Sequence, residues 1–174
     1  MSRQGMSVVS VVGFGLLAVV LCSPALWAGS PAQEVILESN STWDFVEEHV
    51  WTGPAIIWID GVRYEGEIFY RGEGKMNWNG WHGTEYHDYH FPDLGWLYVS
   101  GIAKTYFAFV TPEHRWHRYS SHVKITGGTG AFAEAHGVFQ LVGYTDWLLP
   151  PYYLPPEAFA FTGGTGMIVG IEVE

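Results

Sequence analysis

The sequence predicts an all-β protein: a single antiparallel domain, built as a sandwich or a barrel, behind an N-terminal signal peptide. Two observations support this fold class. Short runs of alternating apolar and polar residues recur along the chain, and glycine-rich turns separate them. No segment shows a convincing helical period apart from a possible turn over residues 43–50. We therefore expect one domain built as a β-sandwich or a β-barrel.

The first 28 residues have the order of a secretory signal peptide. Arg3 supplies a positive charge, an apolar run occupies residues 8–22, and small residues precede Gly29. The apolar run is about 15 residues, which is short for a bilayer crossing of roughly 20. We expect cleavage after Ala28, with Ala32 as the alternative position and an uncleaved anchor as the alternative interpretation. Residues 29–174 then form one secreted or periplasmic barrel domain with no stable membrane span.

Composition narrows the classes of partner. The chain carries 18 acidic and 8 basic residues, and we expect no nucleic-acid partner because phosphates must be neutralised by Lys and Arg. The single cysteine, Cys22, lies in the signal segment, so the mature chain has neither a disulfide nor a cysteine nucleophile. Aromatic residues make up 17% of the chain, more than a core of this size usually requires. This excess predicts a ligand site or a subunit contact.

The clearest local signal is Asp60-Gly61, the commonest two-residue turn of a β-hairpin. Strands are predicted on both sides of it and along the rest of the chain, over residues 34–38, 54–59, 62–71, 94–111, 115–126, 138–144, 158–161 and 167–173. Residues 73–93 are predicted as a long surface loop, because Gly, Asn, Trp and His interrupt the alternation there. Residues 149–156 are rich in proline and predict a stiff extended loop.

The most specific motif is Gly127-Gly128-Thr129-Gly130, which is followed by Phe132, small residues and Gly137. This run resembles a signature of the barrel superfamily that contains plant dirigent proteins and allene oxide cyclases. A shorter copy of the motif closes the chain. We interpret the glycines of both copies as corners of a bent sheet, namely Gly127, Gly128, Gly130, Gly163, Gly164 and Gly166.

The resemblance favours the barrel over the sandwich: it implies a single antiparallel eight-stranded barrel of the calycin type with an interior cavity, often within an oligomer. Members of that superfamily hold a reactive apolar molecule in one shape and steer the coupling of phenols or a ring closure. None of the family's catalytic residues matches a position of this sequence, so the catalytic residues are left unassigned. The resemblance predicts a secreted barrel that binds a small apolar or aromatic molecule and steers its cyclisation or coupling. Any activity would then be cyclase-like or dirigent-like.

Inward-facing aromatic and imidazole side chains are the candidate ligand-binding residues. Alternation along the predicted strands places on the inner face Tyr64, Tyr70, Tyr106, His117 and Tyr119. Tyr106 is included because it shares a face with Trp96 and Tyr98 in the predicted register. Tyrosine combines apolar area with a hydroxyl group, which suits an aromatic guest. A barrel of eight strands either holds one small ligand or is filled by side chains, and the sequence leaves both open.

A histidine-rich segment predicts an alternative function, the extracytoplasmic binding of Cu or Zn. His82, His87 and His90 lie close together in the sequence, among several carboxylates. Imidazole and carboxylate groups suit both metals. On a strand His87 and His90 would point to opposite faces, so the predicted site requires this segment to turn as a loop. A solvated polar loop is the other interpretation, and no further cofactor is expected.

A non-enzymatic carbohydrate-binding or assembly module is the third possibility. It depends on aromatic side chains that we expect at the surface, namely Trp78, Trp81, Trp96, Trp116, Tyr152 and Tyr153. Exposed rings of this kind mark interaction sites, and Trp and Tyr are enriched in subunit interfaces. Together with the resemblance, they predict a homo-oligomer.

Overall fold

The computed structural model describes residues 31–44, 50–77, 80–110, 115–146 and 159–173. Within these residues eight antiparallel strands form one closed barrel, in which each strand pairs with the next and the last with the first. The strands are β1 (Gln33–Asp44), β2 (Val50–Ile59), β3 (Val62–Asn77), β4 (Gly80–Phe91), β5 (Gly95–Val110), β6 (Arg115–Gly128), β7 (His136–Asp146) and β8 (Phe159–Val169). The predicted fold class is confirmed. The predicted signal peptide and the proline-rich segment 149–156 lie outside the described residues.

Short connections close one end of the barrel, which we call the closed end. Asp60 and Gly61 form the β2–β3 turn with φ angles of 51° and 79°. Both residues therefore adopt the left-handed conformation of a type I′ turn, as the sequence predicts. Between β6 and β7 a 3-10 helix, Gly130–Phe132, places the Phe132 ring in the interior.

The predicted loop over residues 73–93 is wrong. β3 continues to Asn77 and β4 starts at Gly80, so this segment is mainly a long antiparallel hairpin. Its glycines accommodate a ring instead of interrupting the strands, because the Trp81 indole lies over them. A Cβ added at Gly74 or Gly83 would lie 2.7 Å from that indole.

The first glycine motif forms the predicted corner. Gly127 and Gly128 are the last residues of β6, and Gly130 has a φ of 59° at the start of the 3-10 helix. Only glycine reaches that region without steric cost, so the chain reverses here toward β7.

The second copy of the motif lies within a strand, and the prediction of a corner at Gly163, Gly164 and Gly166 is wrong. The two strands predicted on either side of it are one strand, Phe159–Val169. A side chain at Gly164 would clash with the backbone of β7, and one at Gly166 would clash with the Phe139 ring. These glycines therefore allow β7 and β8 to approach closely along their length.

The interior has two regions. Toward the closed end it is filled by the apolar region, which includes Val35, Leu37, Ile57, Phe91, Leu97, Phe132, Phe139, Leu141 and Ile168. Toward the opposite end lies the polar chamber, which includes Ser41, Glu85, His87, Thr105, Tyr119, Ser121 and Thr145. Along β6 the predicted inner face is confirmed, with His117, Tyr119, Ser121, Val123 and Ile125 all buried.

Candidate functional site

Alternate residues of β4 and β6 assemble the centre of the polar chamber. Glu85 faces inward from β4, and Tyr119 and Ser121 face inward from β6. β5 lies between these two strands, and its nearby inward residues are Gly101 and Ala103. Because these are the two smallest residues, the Glu85 side chain passes across β5 and reaches β6.

Glu85 is fully buried, with 0% of its surface exposed, and it lies in a hydrogen-bond network. Tyr119 Oη donates to both carboxylate oxygens, at 2.6 Å from Oε1 and 2.7 Å from Oε2. Ser121 Oγ also donates to Oε1. His87 Nε2 lies 3.3 Å from the same oxygen. These groups replace the water that a carboxylate would have in solution.

The surroundings of Glu85 favour its ionised form. Burial alone would raise the pKa of this carboxyl group, but the nearby His87 imidazole and the hydrogen bonds from Ser121 and Tyr119 outweigh it. The pKa of Glu85 is therefore lowered from its ordinary value. The chamber contains an anion deep inside the barrel.

Three phenols surround this anion: Tyr89 and Tyr119 are buried, and Tyr70 is partly buried. Burial, and then the negative charge of Glu85, raise the pKa of Tyr70, Tyr89 and Tyr119 far above the ordinary value of a tyrosine. Their hydroxyl groups therefore stay protonated and can donate hydrogen bonds. Tyr89 Oη lies 2.9 Å from His87 Nδ1, and the Tyr70 ring packs edge-on against the His87 ring at 4.9 Å between centroids.

A small cavity adjoins this network. Its volume is about 40 Å³, and its walls include Trp51, Tyr70, Trp81, His87, Thr105, Tyr119, Thr145 and Thr162. A volume of this size holds one or two water molecules. Of the buried polar atoms in these walls, Thr145 Oγ1 makes no hydrogen bond within the described residues, whereas His87 Nε2 contacts Glu85 Oε1. The cavity therefore offers an unused hydroxyl group beside an aromatic surface.

Trp81 forms one side of the chamber. The side chain is half-buried, and the backbone N–H donates to Thr105 Oγ1 at 2.7 Å. The indole lies in a slot whose floor has no side chains, because Gly72, Gly74 and Gly83 line it. A slot of this shape accepts a planar ring.

This arrangement supports two kinds of chemistry. An ionised carboxylate next to an imidazole can accept a proton or stabilise a developing positive charge. Protonated tyrosines can orient an oxygen or nitrogen acceptor of a guest by hydrogen bonding. Perturbed carboxyl and phenol groups that lie together beside a cavity are typical of functional sites.

The structure brings together only part of the predicted ligand-binding set. Tyr70 and Tyr119 lie on the wall of the cavity, and His117 is buried on the inner face of β6 beyond it. Tyr64 faces inward near the closed end, where it packs half-buried against the apolar region. Ligand binding by these four residues stays a prediction.

The prediction for Tyr106 is wrong, because its side chain is 47% exposed on the outer face. In the observed register of β5, Thr105 faces the interior, and the inward set also includes Leu97 and Val99. Trp96 and Tyr98, which the predicted register placed inside, are half-buried on the outer side. Apolar residues occupy both faces of β5, so alternation alone did not distinguish the two registers.

The predicted grouping of His82, His87 and His90 is wrong as a single site. All three lie on β4, where His87 faces the interior while His82 and His90 face outward. Within the described part of the chain no three metal-ligating side chains come together. His87 belongs to the polar chamber, whereas His90 stacks on Trp96 at 4.5 Å.

The aromatic residues predicted at the surface divide into three groups. Trp81 faces inward, while Trp96 and Trp116 are half-buried on the outer side. Trp116 stacks against Phe109 at 6.2 Å and Phe161 at 6.3 Å. Trp78, Tyr152 and Tyr153 lie outside the described residues.

Sequence reasoning missed Glu85 as the centre of the site. The available signal was the two-residue spacing of Glu85, His87, Tyr89 and Phe91, which places all four on one face of a strand. A carboxylate on the same strand face as a phenylalanine is unexpected, because burying a charge costs free energy. Its presence there therefore indicates a functional role. The glycines of this segment concealed the signal, because they favoured the interpretation as a loop.

Comparisons with known proteins do not assign the chain to a family. A scan against protein-family models finds no match to the chain, and a search of curated proteins finds no similar sequence. Membership of the dirigent and allene oxide cyclase superfamily thus stays a prediction. Among the described residues no helix is long and apolar enough to span a membrane.

Proposed function

We propose that this secreted barrel binds a small apolar or aromatic molecule in the polar chamber and steers its cyclisation or coupling. The observation that carries the proposal is the fully buried Glu85, held by Tyr119 and Ser121 beside a cavity with aromatic walls. The guest is a planar molecule that carries one hydrogen-bonding group. Its ring packs on Trp51, Tyr70 and Trp81, and its polar group hydrogen-bonds to the Thr145 hydroxyl of the cavity wall, which has no partner within the described residues.

A purely structural role explains this network poorly. Burying a carboxylate costs several kcal/mol, and well-packed apolar residues often stabilise a core as well or better. The same barrel demonstrates the apolar solution in its other region, around Phe132 and Phe139. A carboxylate retained in the interior therefore supports a role in binding or chemistry.

The small size of the cavity determines how a guest can enter the chamber. The cavity of about 40 Å³ is far below the roughly 300 Å³ of common ligand sites. A guest ring must therefore displace an existing group, and the half-buried Trp81 indole is the one that lies in a slot of glycines. The incoming ring takes the slot, or part of it, and the indole then covers the ring.

Steering follows from orientation. The polar group of the guest is fixed by Thr145 Oγ1, the cavity-wall atom that lacks a hydrogen bond within the described residues. Holding a reactive molecule in one near-reactive shape accelerates ring closure and selects one product. Glu85 lies behind His87 and Tyr119, which line the cavity, and its negative charge stabilises positive charge that develops in the guest.

Calorimetric titration with 4-propylphenol tests the proposal, using 4-propylanisole as the matched probe without a hydroxyl donor. We expect the phenol to bind and the ether to bind about tenfold more weakly, because it cannot donate a hydrogen bond. Glu85→Gln should weaken phenol binding by a similar factor. The control Glu67→Gln changes an exposed carboxylate on the outer face of β3 and should leave the affinity unchanged.

Native mass spectrometry of protein taken from the cells that produce it gives an independent readout. The proposal predicts a bound small molecule that is lost in the Glu85→Gln variant. Equal affinity for the phenol and the ether in every variant, together with an unoccupied native protein, would contradict it.

A further inference from the structure

We infer that the outer face of β7 and β8 is the interface through which two copies of this chain form a two-fold dimer. Neither strand presents a charged side chain between Val138 and Tyr144 or between Phe161 and Val169 on this face. The outward residues there are Val138, Gln140, Val142, Tyr144, Phe161, Gly163, Thr165, Met167 and Val169. Depletion of charge at the centre of a surface patch is the compositional mark of an interface.

Large apolar side chains are exposed across this patch. Val138 is 62% exposed and Met167 is 50% exposed, and they pair across the two strands, as Val138↔Met167. Tyr144, Phe161 and Val142 are also exposed. The only polar pair between these residues is Gln140↔Thr165, which is uncharged. An uncharged surface with this much exposed apolar area is uncommon on a monomeric soluble protein and marks a contact site.

The charges at the edges of the patch indicate which partner covers it. One cross-strand row runs through the registered residues Glu34, Met167, Val138 and Lys124. It begins with a carboxylate on β1, crosses two apolar residues, and ends with an ammonium group on β6. Three strand spacings of about 4.8 Å separate the two charged ends by about 14 Å along the curved wall of the barrel.

A second row repeats this polarity. It runs through the registered residues Glu38, Gly163, Val142, Ser120 and Lys104. The acid again lies on β1 and the cation beyond β7, here on β5. Within the described part of the chain no ion pair engages any of these four charged side chains. The patch is thus an apolar strip between an acidic edge and a basic edge.

Such a patch is complementary to itself. A two-fold axis parallel to the strands, along the seam of β7 and β8, exchanges the two edges and keeps each row in register. Glu34 of one copy then meets Lys124 of the second copy, and Met167 meets Val138. Every contact occurs twice, as in any isologous dimer. An acidic or a basic partner of another kind would match one edge and be repelled by the other.

Sedimentation velocity of the purified protein, at about 1 to 100 μM, tests this inference. We expect the mass of two copies. Replacing the apolar centre, by Val138→Asp or Met167→Asp, should weaken the association about a hundredfold or more, because each change places an unpaired carboxylate in the interface twice. Near-ultraviolet circular dichroism checks that each variant keeps the barrel.

A charge exchange provides the sharper test. Glu34→Lys alone and Lys124→Glu alone should each weaken the dimer about tenfold, since like charges then face each other. The double variant Glu34→Lys, Lys124→Glu restores the attraction and should recover most of the affinity. Glu67→Lys on β3, on the far side of the barrel, makes the same change in net charge as Glu34→Lys. It should leave the affinity of the dimer unchanged.

Four outcomes would overturn the inference. A monomer throughout this concentration range would show that another kind of partner, or none, covers the face. An oligomer whose affinity is unchanged by Val138→Asp and Met167→Asp would show that the contact lies on another surface. A ring of three or more copies, or a double variant no better than the singles, would exclude the two-fold arrangement.

Discussion

The two regions of the interior solve the same packing problem in opposite ways. The apolar region is filled by large hydrocarbon side chains such as Phe132, Phe139 and Leu141, each at most 2% exposed. The polar chamber is filled by Glu85 and His87, which are equally buried but need hydrogen bonds to remain so. Burial of apolar area stabilises the first region directly. In the second region hydrogen bonds offset the cost of desolvation. This region contains titratable groups, whereas the first is filled by hydrocarbon side chains.

This comparison suggests a division of labour along the barrel axis. The apolar region and the closed end hold the strands in register, while the chamber at the opposite end contains the buried titratable groups Glu85 and His87. Changes in the first region should therefore alter stability most, and changes in the second should alter binding and pH dependence. The following substitutions test that division, from the largest expected effect on stability to the smallest.

Phe132→Ala should have the largest effect on stability. Phe132 is fully buried, packs 6.1 Å from Phe91, and fills the closed end. Its removal leaves a cavity, and we expect the free energy of unfolding in urea to fall by about 3–5 kcal/mol. The same truncation at Phe109, which is 48% exposed, should cost about 1 kcal/mol or less. Equal losses at both positions would show that the closed end does not hold the barrel together.

Tyr119→Phe should have the next largest effect. It removes two hydrogen bonds to a buried carboxylate, so we expect a loss of about 1.5–3 kcal/mol in the free energy of unfolding. Tyr106→Phe removes the same hydroxyl group from an outward side chain on the neighbouring strand and should cost under about 0.5 kcal/mol. A smaller loss at Tyr119 than at Tyr106 would contradict the assignment of Tyr119 to the network.

The sequence predicted the fold well and the site only in part, for a physical reason. Where one face of a strand is apolar and the other polar, alternation determines the register, as it did along β6 and at the Asp60-Gly61 turn. Alternation fails where both faces carry apolar or aromatic residues. β5 is such a strand, and Tyr106 was placed on the wrong face for that reason.

The glycine content of the β3–β4 hairpin led to the wrong prediction of a loop. Gly72, Gly74 and Gly83 indicate a loop by composition, yet they lie in a hairpin where the Trp81 ring occupies the space that side chains would need. Gly164 similarly lies within β8. Such contacts join residues of different strands, so no local pattern reveals them. The same applies to Glu85, whose partners Tyr119 and Ser121 lie on a strand that is not its neighbour.

Glu85→Gln should change the pH dependence of stability. The folded-state pKa of Glu85 lies below its ordinary value, so between the two values the unfolded chain binds more protons. Ionised Glu85 therefore stabilises the protein fully above the unfolded pKa of about 4.3, and this contribution is lost as the pH falls through the folded pKa. We expect the variant to be less stable by roughly 1 kcal/mol near neutral pH, with the difference shrinking in acid.

Urea unfolding across the acid range measures that difference. The control Glu67→Gln, at an exposed position on β3, should follow the wild-type curve. A Glu85→Gln curve parallel to that of the wild type at every pH would show that folding does not lower the pKa of Glu85.

Gly72→Ala should have the smallest effect on stability and a clear effect on binding. A Cβ at this position would lie 2.9 Å from Tyr70 Oη and 3.0 Å from the Trp81 ring. Both contacts are with side chains, which can shift, so we expect the free energy of unfolding to change by less than about 1 kcal/mol. The slot becomes narrower, however, and the affinity for 4-propylphenol should fall about tenfold.

Gly127→Ala is the matched control, because its Cβ would contact only the Tyr98 ring at 3.7 Å, an ordinary distance. That substitution lies outside the chamber and should leave phenol binding unchanged. Gly72→Ala with unaltered affinity would mean that a guest does not use the slot beneath Trp81. In that case the guest would have to lie deeper in the chamber, against Tyr119 and Thr145, where only a molecule close to the size of water fits without larger rearrangement.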